Sequence, residues 1–187
     1  MASTRVVVFV EGLSDQVALQ AVARRRNRDL EAEGVVILPM GGSKNIGSFL
    51  ERFGPRGSNV RVAGLCDAGE EDDFKRALER AGLGADLTRA DIEHLGFYVC
   101  VDDLEDELIR ALGAAAVVRV IEAQGELGPF RTFQKQPEWR GRTVEDQLRR
   151  FLGTHSGRKI RFARLLVEAL DLARVPRPLD RVLAQLL

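Results

Sequence analysis

The chain has 187 residues, 45% of them apolar and 30% charged, with 28 basic and 28 acidic side chains. That size and apolar share suit one globular domain with a sizeable core and leave little for a second independent one. No run approaches eighteen apolar residues, and MASTRVVVFVEG lacks a signal peptide's long apolar core, so a cytoplasmic protein without membrane segments is expected. Two cysteines, Cys66 and Cys100, are too few for a disulfide framework and sit in apolar runs, which reads as buried free thiols. The balanced total conceals an asymmetry. Residues 1–130 carry 15 Lys and Arg against 22 Asp and Glu, whereas residues 131–187 carry 13 against 6. An acidic body followed by a basic segment is a first pointer to a polyanionic partner, although charges on solvated helix faces give the same count.

In chain order, apolar runs of strand length alternate with longer amphipathic stretches. The runs are Val6 to Val10, Val35 to Leu38, Val60 to Leu65 and Phe97 to Val101. Helical spacing occupies Ser14 to Arg26, Ile46 to Phe53, Asp72 to Ala81 and a short stretch from Thr88 to His94. This rhythm predicts an α/β fold with a mainly parallel four-stranded sheet, whose ligands gather at the carboxyl ends of the strands. Beyond Asp103 the pattern is helical only: Leu104 to Leu112, Ala114 to Glu122, Val144 to Leu152, Arg158 to Leu172 and Leu179 to Leu186, with Gly125 to Arg142 broken up by Gly and Pro. The expected organisation is an α/β domain over residues 1–112 and a basic helical C-terminal extension over 113–187 packed on it.

The acids fall at corresponding places. Glu11 closes the first strand, Asp67 the third, and Asp102, Asp103 and Glu105 follow the fourth, so a parallel sheet brings them to one edge. Two carboxylates at 4 Å repel by roughly 4 kcal/mol at an effective dielectric near 20, and a cation or proton must relieve them. With no His or Cys ligand spacing, Mg²⁺ or Mn²⁺ is favoured over zinc. Plainer roles compete. Asp15 follows Ser14 at a helix start and suits capping, the run Glu70 to Asp73 suits compensation of a helix dipole, and Asp106 and Glu107 suit a helix surface. Glu11 and Asp67 have the weakest structural excuse, because a charge closing a buried strand gains nothing from packing.

The motifs VEGLSD, MGGSKNIGSFL, VAGLCDAG, DDLEDEL and SGRKIRFARLL, in this order, resemble the Toprim fold, and within it the Toprim region of the overcoming lysogenization defect (OLD) family of ATPase-linked endonucleases. The resemblance implies a Toprim-like domain that hydrolyses or transfers phosphodiesters on nucleic acid, with DNA the expected substrate and one or two Mg²⁺ or Mn²⁺ ions as cofactor. It assigns Glu11, Asp67 and Lys159 to catalysis, and Glu11, Asp15, Asp67, Glu105 and Asp103 to metal binding. Lys159, Arg158, Arg161 and Lys44 are the expected nucleic-acid contacts. One departure stands out: the second acid of the family's DxD motif is Gly69 here, unless Glu70, Glu71 or Asp72 replaces it. The loss favours a rival reading, a degenerate module that binds nucleic acid or a partner ATPase without cutting.

The remaining motifs carry less. GGSKNIG fails the Walker pattern, since Lys44 is followed by Asn45, so if ATP is used the ATPase is expected in trans, from a partner; a homodimer is also compatible. His94 and His155 have no ligand spacing and read as surface or helix-end residues. Trp139, in QKQPEWRGR, suits packing more than base stacking. An aspartyl-phosphate receiver would also place acids at the first and third strand ends, but the basic helical tail and DDLEDEL argue against it.

Overall fold

The computed structural model describes residues 4–186. Strands β1 (Val6–Val10), β2 (Val35–Pro39), β3 (Arg61–Asp67) and β4 (Phe97–Cys100) form one all-parallel sheet in the order β2-β1-β3-β4. Helices α1 (Leu13–Arg25), α2 (Ile46–Phe53), α3 (Glu71–Arg80) and α4 (Arg89–His94) connect them. After β4 come α5 (Leu104–Leu112), α6 (Ala114–Ala123), α7 (Leu127–Gln134), α8 (Val144–Gly153), α9 (Ser156–Ala169) and α10 (Arg177–Gln185).

Side chains alternate across the strands and so feed two cores. Val7, Phe9, Cys66, Phe97 and Val99 meet Ile46, Leu50, Phe74, Leu78 and Ile92 of α2, α3 and α4. Val6, Val8, Val10, Ala63 and Leu65 face the opposite way, into a larger core shared by α1, α5 and every helix from α6 to α10. The C-terminal helices therefore complete the cover of one sheet face. Helix α9 lies along α1, and Arg25 ties the pair by donating to the carbonyls of Val167 (2.7 Å) and Leu170 (2.6 Å) at the end of α9. The Val167 carbonyl otherwise accepts only the long bond from the Leu170 N–H at 3.2 Å, and carbonyls at a helix end need partners beyond the helix, which the guanidinium supplies. Arg28 likewise donates to the Leu183 carbonyl of α10 at 2.6 Å.

Element ends differ from the sequence expectation where side chains intervene. Strand β3 runs on through Cys66 and Asp67, because Asp67 pairs in register with Cys100. Strand β4 stops before Val101, whose N–H turns to the Glu107 carboxylate at 2.8 Å. Helix α7 forms despite Gly128 and Pro129, since a proline in the first turn forfeits no intrahelical bond. Helix α9 ends at Ala169, ahead of Asp171, whose carboxylate accepts the Ala173 N–H and starts a separate turn. In the centre of the sheet, a Cβ on Gly64 would lie 2.8 Å from the Phe9 carbonyl and 2.9 Å from the Phe97 ring, so only glycine lets β1, β3 and β4 approach this closely.

Among the described residues no helix is long and apolar enough to cross a membrane. Cys66 and Cys100 are free and buried, and burial, reinforced by Asp67, pushes both thiols up, Cys66 to about 12.

Candidate active site

The carboxyl edge of the sheet is built from four junctions. Glu11 follows β1 and is half-buried. Its backbone is fixed by the neighbouring turn: Gly41 and Gly42 donate to the Glu11 carbonyl at 3.0 and 3.2 Å, and Met40 donates to Val10 at 2.8 Å. Gly41 and Gly42 have φ of 72° and 122°, which side-chain-bearing residues rarely adopt. The amides that a phosphate loop would aim at a ligand are thus spent on holding Glu11. Asp15, 8% exposed, sits in the first turn of α1, where its Oδ2 accepts the Gly12 N–H at 2.9 Å. It caps the helix and faces the site at once. Burial pushes its carboxyl up, and Glu11 adds to this, against the Gly12 bond and Lys159.

Asp67 ends β3. Burial first, then Glu11, Asp15 and Asp103, pushes its carboxyl from 3.8 up to about 8, with Lys159 pulling the other way. Glu105, 6% exposed in the first turn of α5, lies 3.2 Å from the Lys159 ammonium through Oε2. Its Oε1 is buried with no hydrogen-bond partner among the described residues. Burial, with Asp103 and Asp15 against the relief from Lys159, lifts Glu105 to about 7. Lys159 itself, carried in by α9, keeps its proton: burial works against the charge, but Glu105, Asp15 and Asp103 hold the ammonium above its ordinary value. Asp103 caps α5 through Asp106 N–H at 2.9 Å and also accepts Arg149 at 2.8 Å.

The fold therefore brings Glu11, Asp15, Asp67, Asp103, Glu105 and Lys159 to one place. It does not gather the other sequence candidates there. Arg158 and Arg161 both pair with Glu126, and their guanidinium groups lie over the rings of Phe151 and Phe162. Lys44 is exposed and lines a separate cavity of about 320 Å³ with Arg56 and Arg80. Asp102 is exposed, 3.5 Å from Arg149. Of the substitutes for the acid missing at Gly69, Glu71 is taken by Arg89 and Lys75, Asp72 points to solvent, and Glu70 has a buried Oε2 without a partner among the described residues. Arg149, which holds Asp103, was not singled out by its sequence context; the only cue is its place opposite the apolar face of α8. Among the described residues no three His, Cys, Asp or Glu side chains close on one point as a ready-made metal cage. The acids form a looser rim.

The structure is thus a four-stranded parallel sheet in the order β2-β1-β3-β4, with acids at the ends of β1 and β3 and after β4. Residues 4–68 match the family model described as overcoming lysogenization defect protein-like, TOPRIM domain. Over that stretch the chain is similar to an OLD-like Toprim domain. The fold of the whole follows solved OLD fragments. The C-terminal region of the Xanthomonas campestris pv. campestris OLD protein matches with a TM-score of 0.74 at 23% identity, over 98% of this chain and 92% of that one. The C-terminal region of the Burkholderia pseudomallei OLD protein matches with a TM-score of 0.70 at 21% identity, over 99% and 98%. No curated protein sequence matches the chain.

Proposed function

We propose that this protein is a Mg²⁺- or Mn²⁺-dependent domain that hydrolyses or transfers phosphodiesters in nucleic acid, with DNA as its substrate and the cytoplasm as its setting. The observation that supports this most is the crowding at Asp67, where burial and three further acids lift the carboxyl to about 8. Folding gains nothing from such a collection of like charges, and strongly perturbed acids in a cleft are a mark of a functional site.

The donors fit a hard cation. All are carboxylate oxygens, and Glu105 offers a buried oxygen without a partner among the described residues. Glu11, Asp15 and Asp67 would hold one ion or two, with Glu105 and Asp103 beside them. Mg²⁺ keeps several waters and takes only one or two carboxylates, so a loose rim suits it better than a closed cage. Such a cation supplies Lewis acidity and lowers the pKa of a bound water.

The chain's own groups do the rest. Lys159 carries its charge at neutral pH and is held by Glu105 at 3.2 Å, ready to balance negative charge on the phosphate oxygens as it builds. Arg149 fixes Asp103, and the Gly12–Asp15 bond keeps the Asp15 carboxylate in place. An ATPase acting in trans and self-association into a dimer belong to the same proposal.

Gly69 favours a second reading, a Toprim module that binds without cutting. Incubating plasmid with the protein in Mg²⁺ or Mn²⁺, beside Glu11→Ala, separates the two. The proposal expects nicking that the variant loses. DNA binding with no turnover in either metal establishes the second reading instead.

A further inference from the structure

A cleft of about 570 Å³ opens directly beside Lys159, Glu105 and Asp103. Its far wall is made by Trp139 and Arg142, from the α7–α8 connection, and by Arg149 and Arg150 of α8. Asp146 also lines it, so the wall is not uniformly basic. Arg149 is spent on Asp102 and Asp103, but Arg142 and Arg150 are exposed and form no ion pair among the described residues. Trp139, the only tryptophan of the chain, is half-buried and stacks on Phe133 at 5.2 Å with 28° between the rings. The Phe133 contact takes one face of the indole and steadies it.

We infer that this cleft seats an unpaired stretch of the polynucleotide next to the phosphate being attacked, with Arg142 and Arg150 on the backbone and Trp139 stacked on a base. The inference rests on the phosphodiester reading above and adds the form of the substrate. Free arginines lining a groove with a recessed aromatic are the elements by which proteins hold single strands without reading their sequence. Bases inside a duplex are stacked on one another and cannot reach a recessed indole unless they leave the stack. Strand ends, gaps and opened segments therefore fit the cleft, and continuous duplex does not.

Tryptophan fluorescence reports on the cleft alone, because Trp139 has no competitor. The full chain, with chelator present so that nothing is cut, is titrated at low ionic strength with a short oligothymidine and with relaxed, closed-circular duplex. Quenching by the oligothymidine and not by the circle is expected. In anisotropy measurements with a labelled oligothymidine, Trp139→Ala weakens binding about fivefold or more, and Trp139→Phe recovers most of it. Arg142→Ala and Arg150→Ala each lower the slope of log K against log salt by about 0.7. The cleft assignment is overturned by absence of quenching, by equal quenching with the circle, or by an Arg142→Ala/Arg150→Ala protein that binds the strand at full strength. Cutting by a protein with none of these responses overturns the cleft and leaves the hydrolase standing. Quenching by a protein that cuts nothing in either metal does the reverse.

Discussion

Asp67→Asn should stabilise the metal-free protein, and by more as pH rises. The folded carboxyl binds its proton more tightly than the unfolded one, because its pKa moves from 3.8 to about 8. Stability is therefore lost as pH climbs between those values, and Asn, which stays neutral, escapes the loss. At about 1.36 kcal/mol per pKa unit, the ceiling is roughly 5.7 kcal/mol. Glu11 and Asp15 share the repulsion and part of the residue meets solvent, so a gain of about 2 kcal/mol at pH 8 is expected, vanishing near pH 4. For a chain of this length that corresponds to roughly 4–8 °C in Tm. Thermal unfolding followed by circular dichroism in chelator, at both pH values, measures it. An Asn variant less stable than wild type at pH 8, or equally stabilised at both pH values, would refute the like-charge crowding from which the site was argued. Saturating Mg²⁺ should reverse the order by stabilising wild type and leaving Asp67→Asn nearly unmoved.

Further outcomes follow from the same geometry. Lys159→Met should lower the nicking rate about 100- to 1,000-fold, as read from plasmid time courses. A Cβ at Gly69 meets no atom within 4 Å, so Gly69→Asp should fold normally and lower the Mg²⁺ concentration needed for half-maximal nicking. Gly64→Ala should cost about 1–3 kcal/mol in urea unfolding, from the clash with the Phe9 carbonyl and Phe97. Gly42→Ala, at φ 122°, should cost about 1–3 kcal/mol and reduce nicking as well, because the turn carries the bond to Glu11.

The strands and most helices were legible because their signals are local: apolar runs of four or five residues, turn residues between them, and amphipathic spacing afterward. The acid edge was legible as well, since a parallel sheet aligns strand ends whatever the strand order. Charge partners were not. Arg158 and Arg161 beside Lys159 look like one cationic patch in SGRKIRFARLL, and only the fold reveals Glu126, some thirty residues earlier, drawing two of the three away. Nothing near Trp139 in sequence announces Phe133 beneath it and Lys159 across a cleft. The Gly41–Gly42 turn was legible as a turn but not as the support of Glu11, because its bonds cross to a strand thirty residues upstream.

Helix α1 acts as a gauge between the two halves of the site. Asp15 stands near one end and Arg25, which grips the tail of α9, ends the other, so a single rod of about 20 Å sets where Lys159's helix lies relative to the first acids. Removing one residue between them would swing Arg25 by about 100° around the rod and release α9. The lysine would then drift from its carboxylates although no residue of the site had been altered, which makes the length of α1 as much a determinant of activity as the acids at its start.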